Sequence, residues 1–386
     1  MNYRMEAEGK RLRLEWSDGA TCIYPALWLR DNAPETRDPR NGQRLHDIAD
    51  LPPDPRIVSC RLEEPDRLIL TWADTARETA FDLAWLSRYA PNETPPSRPF
   101  TIELWTAEKA ADQTWEDYGR FVADEEGRLD WMHALVTRGI AYLRGVPARE
   151  GEIREVARWL GTVRETNYGT VFDVRTVPDP KNLAYTDLGL GLHTDNPYRD
   201  PVPGFQMLHC LRASSEGGES LFADGFALAE HLRVCSPEAF DILTQTPVRF
   251  AYRDSEVELE AERPLIALNC HGKVEAIAYN NRSIAPLCLP LETIEAFYAA
   301  YRAWAELLRD PRFTCPIKLA AGDLVVFDNQ RILHGRTAFR GGQEARHLQG
   351  CYLDKDGVHG RVLRLWTRRK EKRPKLEQAN VNQSAN

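Results

Sequence analysis

The sequence predicts a mainly β protein with added helices: a double-stranded β-helix, or jelly-roll, domain preceded by a small β-rich N-terminal domain. Three features of the 386 residues lead there. The first ninety residues repeat a hairpin pattern. Residues 91–99, PNETPPSRP, concentrate four prolines as an interdomain linker would. From Thr170 to Leu365, short strand-like runs alternate with turns around one long helical pattern. The expected division is residues 1–92, 100–368 and a polar C-terminal tail over 369–386.

In order, RLRLEW alternates polar and apolar residues, SDGAT turns, and CIYPALWL returns as the partner of a hairpin. RIVSCRL and LILTW repeat the design, and DLAWLSRY predicts one short helix. Beyond the prolines, DWMHALVTRG has helical spacing with Gly139 as its stop, IAYLRGV alternates as a strand, and EIREVARWLG is a second helix stopped by Gly161. A long helix is predicted from about Leu291 to Leu308, with Ile294, Phe297, Tyr298, Tyr301, Trp304 and Leu308 forming a core face. The tail RRKEKRPKLEQANVNQSAN is polar and expected to be frayed or disordered beyond about Lys370.

A hydrophobic content of 42 % allows at least one large core. The net charge of −8 comes without long runs of one sign, which argues against a nucleic-acid partner. No run approaches eighteen apolar residues and the N-terminus lacks the apolar centre of a secretion signal, so no membrane partner and a cytoplasmic location are expected. The eight cysteines are scattered, unlike a disulfide framework or a zinc knuckle.

The chemistry gathers in NLAYTDLGLGLHTDNPYRDPVPGFQMLHC. His193 and Asp195 form a His-x-Asp step between two strand-like runs, and strand positions two apart share a face. Downstream, GDLVVFDNQRILHGR carries an apolar strand through a polar corner to His334. Two histidines and one carboxylate are the facial triad that leaves positions open on iron(II). Arg346, in GGQEARHLQGCYL, follows His334 by twelve residues, which suits a guanidinium gripping a carboxylate by a paired hydrogen bond beside the metal. Triad and arginine together are the layout of an oxygenase that uses 2-oxoglutarate and O2. His209, His271 and His347 receive no ligand role, and His347 should face away from Arg346 across its strand.

WLRDN, NLAYT, HTD, LHC, FDNQRILHGR and ARHLQGCY, in this order from about Tyr24 to about Leu365, resemble the gamma-butyrobetaine and trimethyllysine hydroxylase family. The resemblance implies His193, Asp195 and His334 as iron ligands, Arg346 as the anchor of 2-oxoglutarate, oxidative decarboxylation to succinate coupled to hydroxylation, and a homodimer. It also implies an aromatic cage for a trimethylammonium group, at Tyr168 and Phe172 of NYGTVF, Tyr185 of NLAYT and Tyr352 of QGCY; aromatic faces attract a quaternary cation that makes no hydrogen bonds. The family often holds a structural zinc just after WLRDN. Here APETRDP has no cysteine and His46 alone makes no four-ligand site, so no zinc is expected.

At the other end of the substrate, the family holds a carboxylate with amides that correspond to Asn182 and, in YNN, Asn281. This chain adds Asn196 and Tyr198 after HTD, and Arg282 after the asparagine pair. An added guanidinium with extra donors suits a tetrahedral, more highly charged anion. HTDNPY with YNNR resembles the 2-(trimethylammonio)ethylphosphonate dioxygenases; gamma-butyrobetaine or another betaine is the alternative. Two other classes compete. A zinc hydrolase has no use for Arg346 at its spacing, and a jelly-roll that merely binds a betaine would not need all three ligands together.

Overall fold

The computed structural model describes residues 2–63, 65–91, 100–110, 115–178, 183–340 and 346–383. The chain divides into two compact units, Met1–Arg98 and Pro99–Asn386. Most of the expected proline linker, residues 92–99, lies outside the described residues, as does Asn182.

The first unit holds two three-stranded antiparallel sheets, Asn2–Glu6, Arg11–Glu15, Thr21–Pro25 and Ile57–Glu63, Arg67–Trp72, Glu78–Asp82. Leu12, Leu14, Tyr24, Leu68, Leu70, Trp72 and Phe81 form one buried cluster, as period-two alternation requires. The return strand stops at Pro25, and Ala26–Asp31 is a short helix where the sequence suggested continued strand. Proline accounts for the break: it sits just before the first helical turn, where its missing N–H costs nothing. WLRDN is thus the end of a helix, and the segment after it is tied by charge. Asp31 pairs with Arg44 at 2.8 Å and with His46 at 3.3 Å, and Asn32 Oδ1 accepts from Arg37 at 2.9 Å.

At the centre of the second unit two larger sheets form a sandwich, accompanied by two two-stranded ones, Val248–Arg253 with Glu258–Arg263 and Ile266–Leu268 with Val274–Ile277. The larger has seven strands, running Phe172–Val174, His347–Leu353, Phe205–Arg212, Leu324–Asp328, Ile140–Arg144 and Trp115–Asp117 in spatial order, with Val163–Arg164 also on the His347 strand. The smaller has four, in the order Leu190–His193, Ile332–Arg336, Ser220–Asp224, Cys315–Ile317. The apolar run LVVF divides between two cores, because its side chains alternate. Leu324 and Val326 join Leu129, Met132, Ile153 and Val156 of helices Glu125–Arg138 and Glu152–Leu160 on the outer face, while Val325 and Phe327 join Phe222 and Ile332 between the sheets. The rings of Phe222 and Phe327 meet at 5.5 Å across that interior.

Helix Leu291–Leu307 buries Phe297, Ala300 and Trp304 behind the smaller sheet, but Tyr298 is 54 % exposed and leaves the predicted stripe. Helix Glu125–Arg138 ends at Gly139 in the left-handed region, φ 79°, where a side chain would be strained. The last helix spans Lys355–Gln383, begun by Val358 and Val362 packed into the outer core, where the sequence suggested irregular chain beyond Lys370. Among the described residues no helix is long and apolar enough to cross a membrane.

Candidate active site

The site lies in a cavity of about 470 Å³ in the second unit, lined from both sheets. His193 ends its strand directly opposite His334 in the antiparallel pair, and the two rings are 4.3 Å apart. Between them, Gly335 lets the strands approach: a Cβ there would stand 2.5 Å from the Leu190 carbonyl oxygen.

Asp195 converges by a different route from the one expected. The strand stops at His193, so Asp195 lies in the following bend and strand periodicity does not aim it. Fully buried Asn329, in the corner before the His334 strand, takes the place of a strand partner. Its Oδ1 accepts from Asp195 N at 2.7 Å, and its Nδ2 donates to Asp195 O at 2.9 Å and Pro203 O at 3.3 Å. Thr194 is fixed likewise, its N–H donating to Tyr279 O at 2.7 Å. Sequence reading passed over Asn329; its one signal was a polar residue in the corner of an otherwise apolar stretch.

The three side chains offer ligand atoms all within 4.8 Å of one another. His193 Nε2 is 3.3 Å from Asp195 Oδ1, and His334 Nε2 is 3.7 Å from Asp195 Oδ2. His193 Nδ1 lies 2.9 Å from the Gly191 carbonyl, which can only accept, so Nδ1 carries the proton and Nε2 is free to ligate. Tyr352 OH donates to Asp195 Oδ2 at 2.9 Å. Burial and the neighbouring His334 push His193 down to about 4. Burial works to raise Asp195, but the two histidines outweigh it and hold the carboxyl well below its usual range. A neutral imidazole and an ionised carboxylate are the protonation states that metal ligation needs. The donor set therefore fits a small divalent cation with N and O preference, iron(II) included.

Arg346 reaches the same cavity, 6 % exposed, with Nη2 donating to Ser220 Oγ at 3.1 Å. Burial lowers its pKa to about 10. A second buried guanidinium, Arg336, lowered to about 10 by burial and by Arg346, also lines the cavity. Two buried cations near one another favour an anion between them. His347 turns away from the cavity to Asp173, 2.8 Å distant.

The four aromatic residues expected of a cage, Tyr168, Phe172, Tyr185 and Tyr352, all line the cavity. Phe172 meets Tyr352 at 5.1 Å and Tyr168 at 6.3 Å. The Phe172 ring rests on bare backbone: a Cβ on Gly350 would lie 2.4 Å from it. Tyr252 was missed. It stacks on Tyr198 at 5.0 Å and 19° and meets Tyr168 at 6.1 Å. Its only sequence signal was alternation in VRFAYR, which puts it on the inward face of Val248 and Phe250.

Of the residues expected at the anionic end, Asn196, Tyr198 and Arg282 line the cavity. Asn196 is held in the left-handed region, φ 56°, and its Oδ1 accepts from Tyr198 OH at 2.6 Å. Its Nδ2 is buried and finds no partner among the described residues. Arg282 is exposed at the cavity wall. Asn281 is a correction: it is exposed and does not line the cavity, whereas Asn280 does. The turn explains the swap. Asn280 Oδ1 accepts from Arg282 N at 3.1 Å and its Nδ2 donates to Thr194 O at 3.2 Å, so Asn280 turns inward and its neighbour outward.

Residues 106–352 match the family described as Taurine catabolism dioxygenase TauD, TfdA family, and residues 3–87 match the Gamma-butyrobetaine hydroxylase-like N-terminal family. The chain is 36 % identical over 355 residues to a gamma-butyrobetaine dioxygenase of Pseudomonas sp. (strain AK-1), covering 90 % of this chain and 92 % of that one. It is 31 % identical over 366 residues to the gamma-butyrobetaine dioxygenase of Homo sapiens, covering 91 % and 93 %. To the mitochondrial trimethyllysine dioxygenase of Rattus norvegicus it is 32 % identical over 349 residues, covering 87 % and 81 %. With a His–Asp–His cluster at the heart of its matched region, the chain belongs to the TauD/TfdA family and is an iron(II)- and 2-oxoglutarate-dependent dioxygenase of the gamma-butyrobetaine hydroxylase-like kind.

Proposed function

We propose that the enzyme hydroxylates a small trimethylammonium substrate with an anionic far end, 2-(trimethylammonio)ethylphosphonate first among them, at the carbon bearing phosphorus. One observation carries the choice of anion: the buried, unpartnered Asn196 Nδ2 stands in the same cavity as Arg282 and the aromatic wall. Tyr198 donates to Asn196 Oδ1, which fixes the amide so that its N–H groups are the ones left to give. A phosphonate offers three acceptors and more charge than a carboxylate, so it uses a guanidinium and an amide donor more fully.

In this reading His193, Asp195 and His334 hold iron(II), and Arg346 with Ser220 grips the far carboxylate of 2-oxoglutarate. When bound, the two supply the oxidising power by which one atom of O2 enters a C–H bond and the other leaves in succinate, with carbon dioxide released. The remaining work belongs to the protein. Tyr352 donates to Asp195 and so orients the carboxylate ligand, and Tyr168, Phe172, Tyr185 and Tyr352 receive the quaternary ammonium through their faces. Cage and anion clamp fix the distance between the two ends of the substrate, so one methylene is presented for reaction; misplacement on the order of 1 Å costs roughly a hundredfold.

A second reading, gamma-butyrobetaine hydroxylated to L-carnitine, is supported by the 36 % identical relative. Reconstitution with iron(II) under anaerobic conditions, then oxygen and each of 2-(trimethylammonio)ethylphosphonate, gamma-butyrobetaine and trimethyllysine, separates them by kcat/KM. The phosphonate should be preferred. Equal turnover of gamma-butyrobetaine would remove the phosphonate assignment and leave the second reading.

A further inference from the structure

We propose that Arg336 is a positioning residue that ties the segment bearing Tyr185 to the strand holding His334, keeping the aromatic wall and the metal end of the cavity at a fixed spacing. The idea rests on the cage reading above in giving Tyr185 a role toward the substrate.

Arg336 lies two residues past His334 on the same strand, opposite Leu190, in the pairing that sets His193 against His334. Its side chain is buried, and two of its nitrogens are directed at main-chain carbonyls of one short segment. Nε reaches Leu188 O at 3.3 Å; Nη2 reaches Leu183 O at 3.2 Å, Leu188 O at 3.3 Å and also Thr186 O. A planar fork can serve carbonyls spread over six residues; a point-charge ammonium cannot. Between those carbonyls stands Tyr185, on a 3-10 turn and in the cavity lining.

Among the described residues the segment has little else to hold it. Leu183 is 45 % exposed and Leu188 56 % exposed, so burial of its large apolar side chains contributes little. Among the described residues its backbone is otherwise joined to more distant chain from Val177 N to Tyr185 O and from Phe339 N to Asp187 O, each at 3.1 Å. A buried cation bonded to several carbonyls of one segment is a strong tether, because releasing the segment strips the charge of those partners.

The test compares the full chain with Arg336→Met and Arg336→Lys, each loaded with iron(II) and 2-oxoglutarate without oxygen, by hydrogen–deuterium exchange. In Arg336→Met, amides of residues 183–189 should exchange about tenfold faster or more, those of 205–212 and 324–328 should be unchanged, and Arg336→Lys should fall between. With 2-(trimethylammonio)ethylphosphonate and gamma-butyrobetaine, KM should rise about tenfold with a smaller fall in kcat, and more succinate should form without hydroxylated product. Unchanged exchange over 183–189, or a uniform rise throughout, overturns the tether. A large loss of 2-oxoglutarate affinity with normal exchange also overturns it and makes Arg336 a co-substrate anchor. If the unmutated enzyme hydroxylates neither compound, the substrate reading fails while the exchange result still decides the tether.

Discussion

Replacing Arg346 by methionine should cripple binding of 2-oxoglutarate while leaving the metal ligands intact. The guanidinium is 6 % exposed and beside Ser220, so a carboxylate meeting it forms charge-assisted bonds away from water. Each such bond is worth about 1.5–3 kcal/mol. Removing the pair, with partial relief of the buried cation, costs a net of about 3 kcal/mol. That is roughly a hundredfold in Kd. A thermal-shift assay with manganese(II) in place of iron reads it directly. At a concentration about 100 times its Kd, 2-oxoglutarate stabilises the unmutated protein by about 2.7 kcal/mol; the same concentration, now near the variant's Kd, adds only about 0.4 kcal/mol. Without the co-substrate the variant should be no less stable. Burial lowers the folded pKa of Arg346 to about 10, so at neutral pH its charge costs stability, a cost relieved as pH rises through that value. A change in Kd below about threefold would refute Arg346 as the anchor and direct attention to Arg336.

Alanine at His193, Asp195 or His334 should abolish turnover with the fold retained, checked by iron content and circular dichroism, because each removes one of three ligand side chains. Asn329→Ala should weaken metal binding about tenfold or more, measured by competition with a chelator, because Asp195 loses the partner of its backbone N–H and C=O. Arg282→Ala should narrow the preference for phosphonate over carboxylate substrates; an unchanged kcat/KM ratio would remove Arg282 from the anion clamp. Tyr252→Ala should raise KM for any trimethylammonium substrate several-fold through loss of stacking on Tyr198, read by steady-state kinetics.

Much of this was legible in the residues. The apolar run at Leu324–Phe327 and the helices around Gly139 and Gly161 follow from periodicity, which reports burial directly. The triad was legible as residue types at a spacing, but the reason given for Asp195 was wrong: a side-chain amide 134 residues away aims it, and no local pattern encodes such a contact. Asn280 and Asn281 are adjacent amides distinguished only by the direction of a turn, which one position of backbone decides. Tyr252 and Arg336 escaped for the same reason. Each looks like ordinary strand composition until tertiary structure brings its tip beside Tyr198 or the Leu183–Leu188 carbonyls.

The two sheets divide the reagents between them. His193, His334 and Ser220 belong to the smaller sheet, whereas Arg346 leads into the larger one and Tyr352 lies on it. If 2-oxoglutarate spans the metal and Arg346 as proposed, it would bridge side chains borne by both sheets, with Ser220 of the smaller sheet beside the arginine. On that proposal the compound consumed in every cycle would also be the piece that joins the two sheets at the site, and has to be replaced before the next.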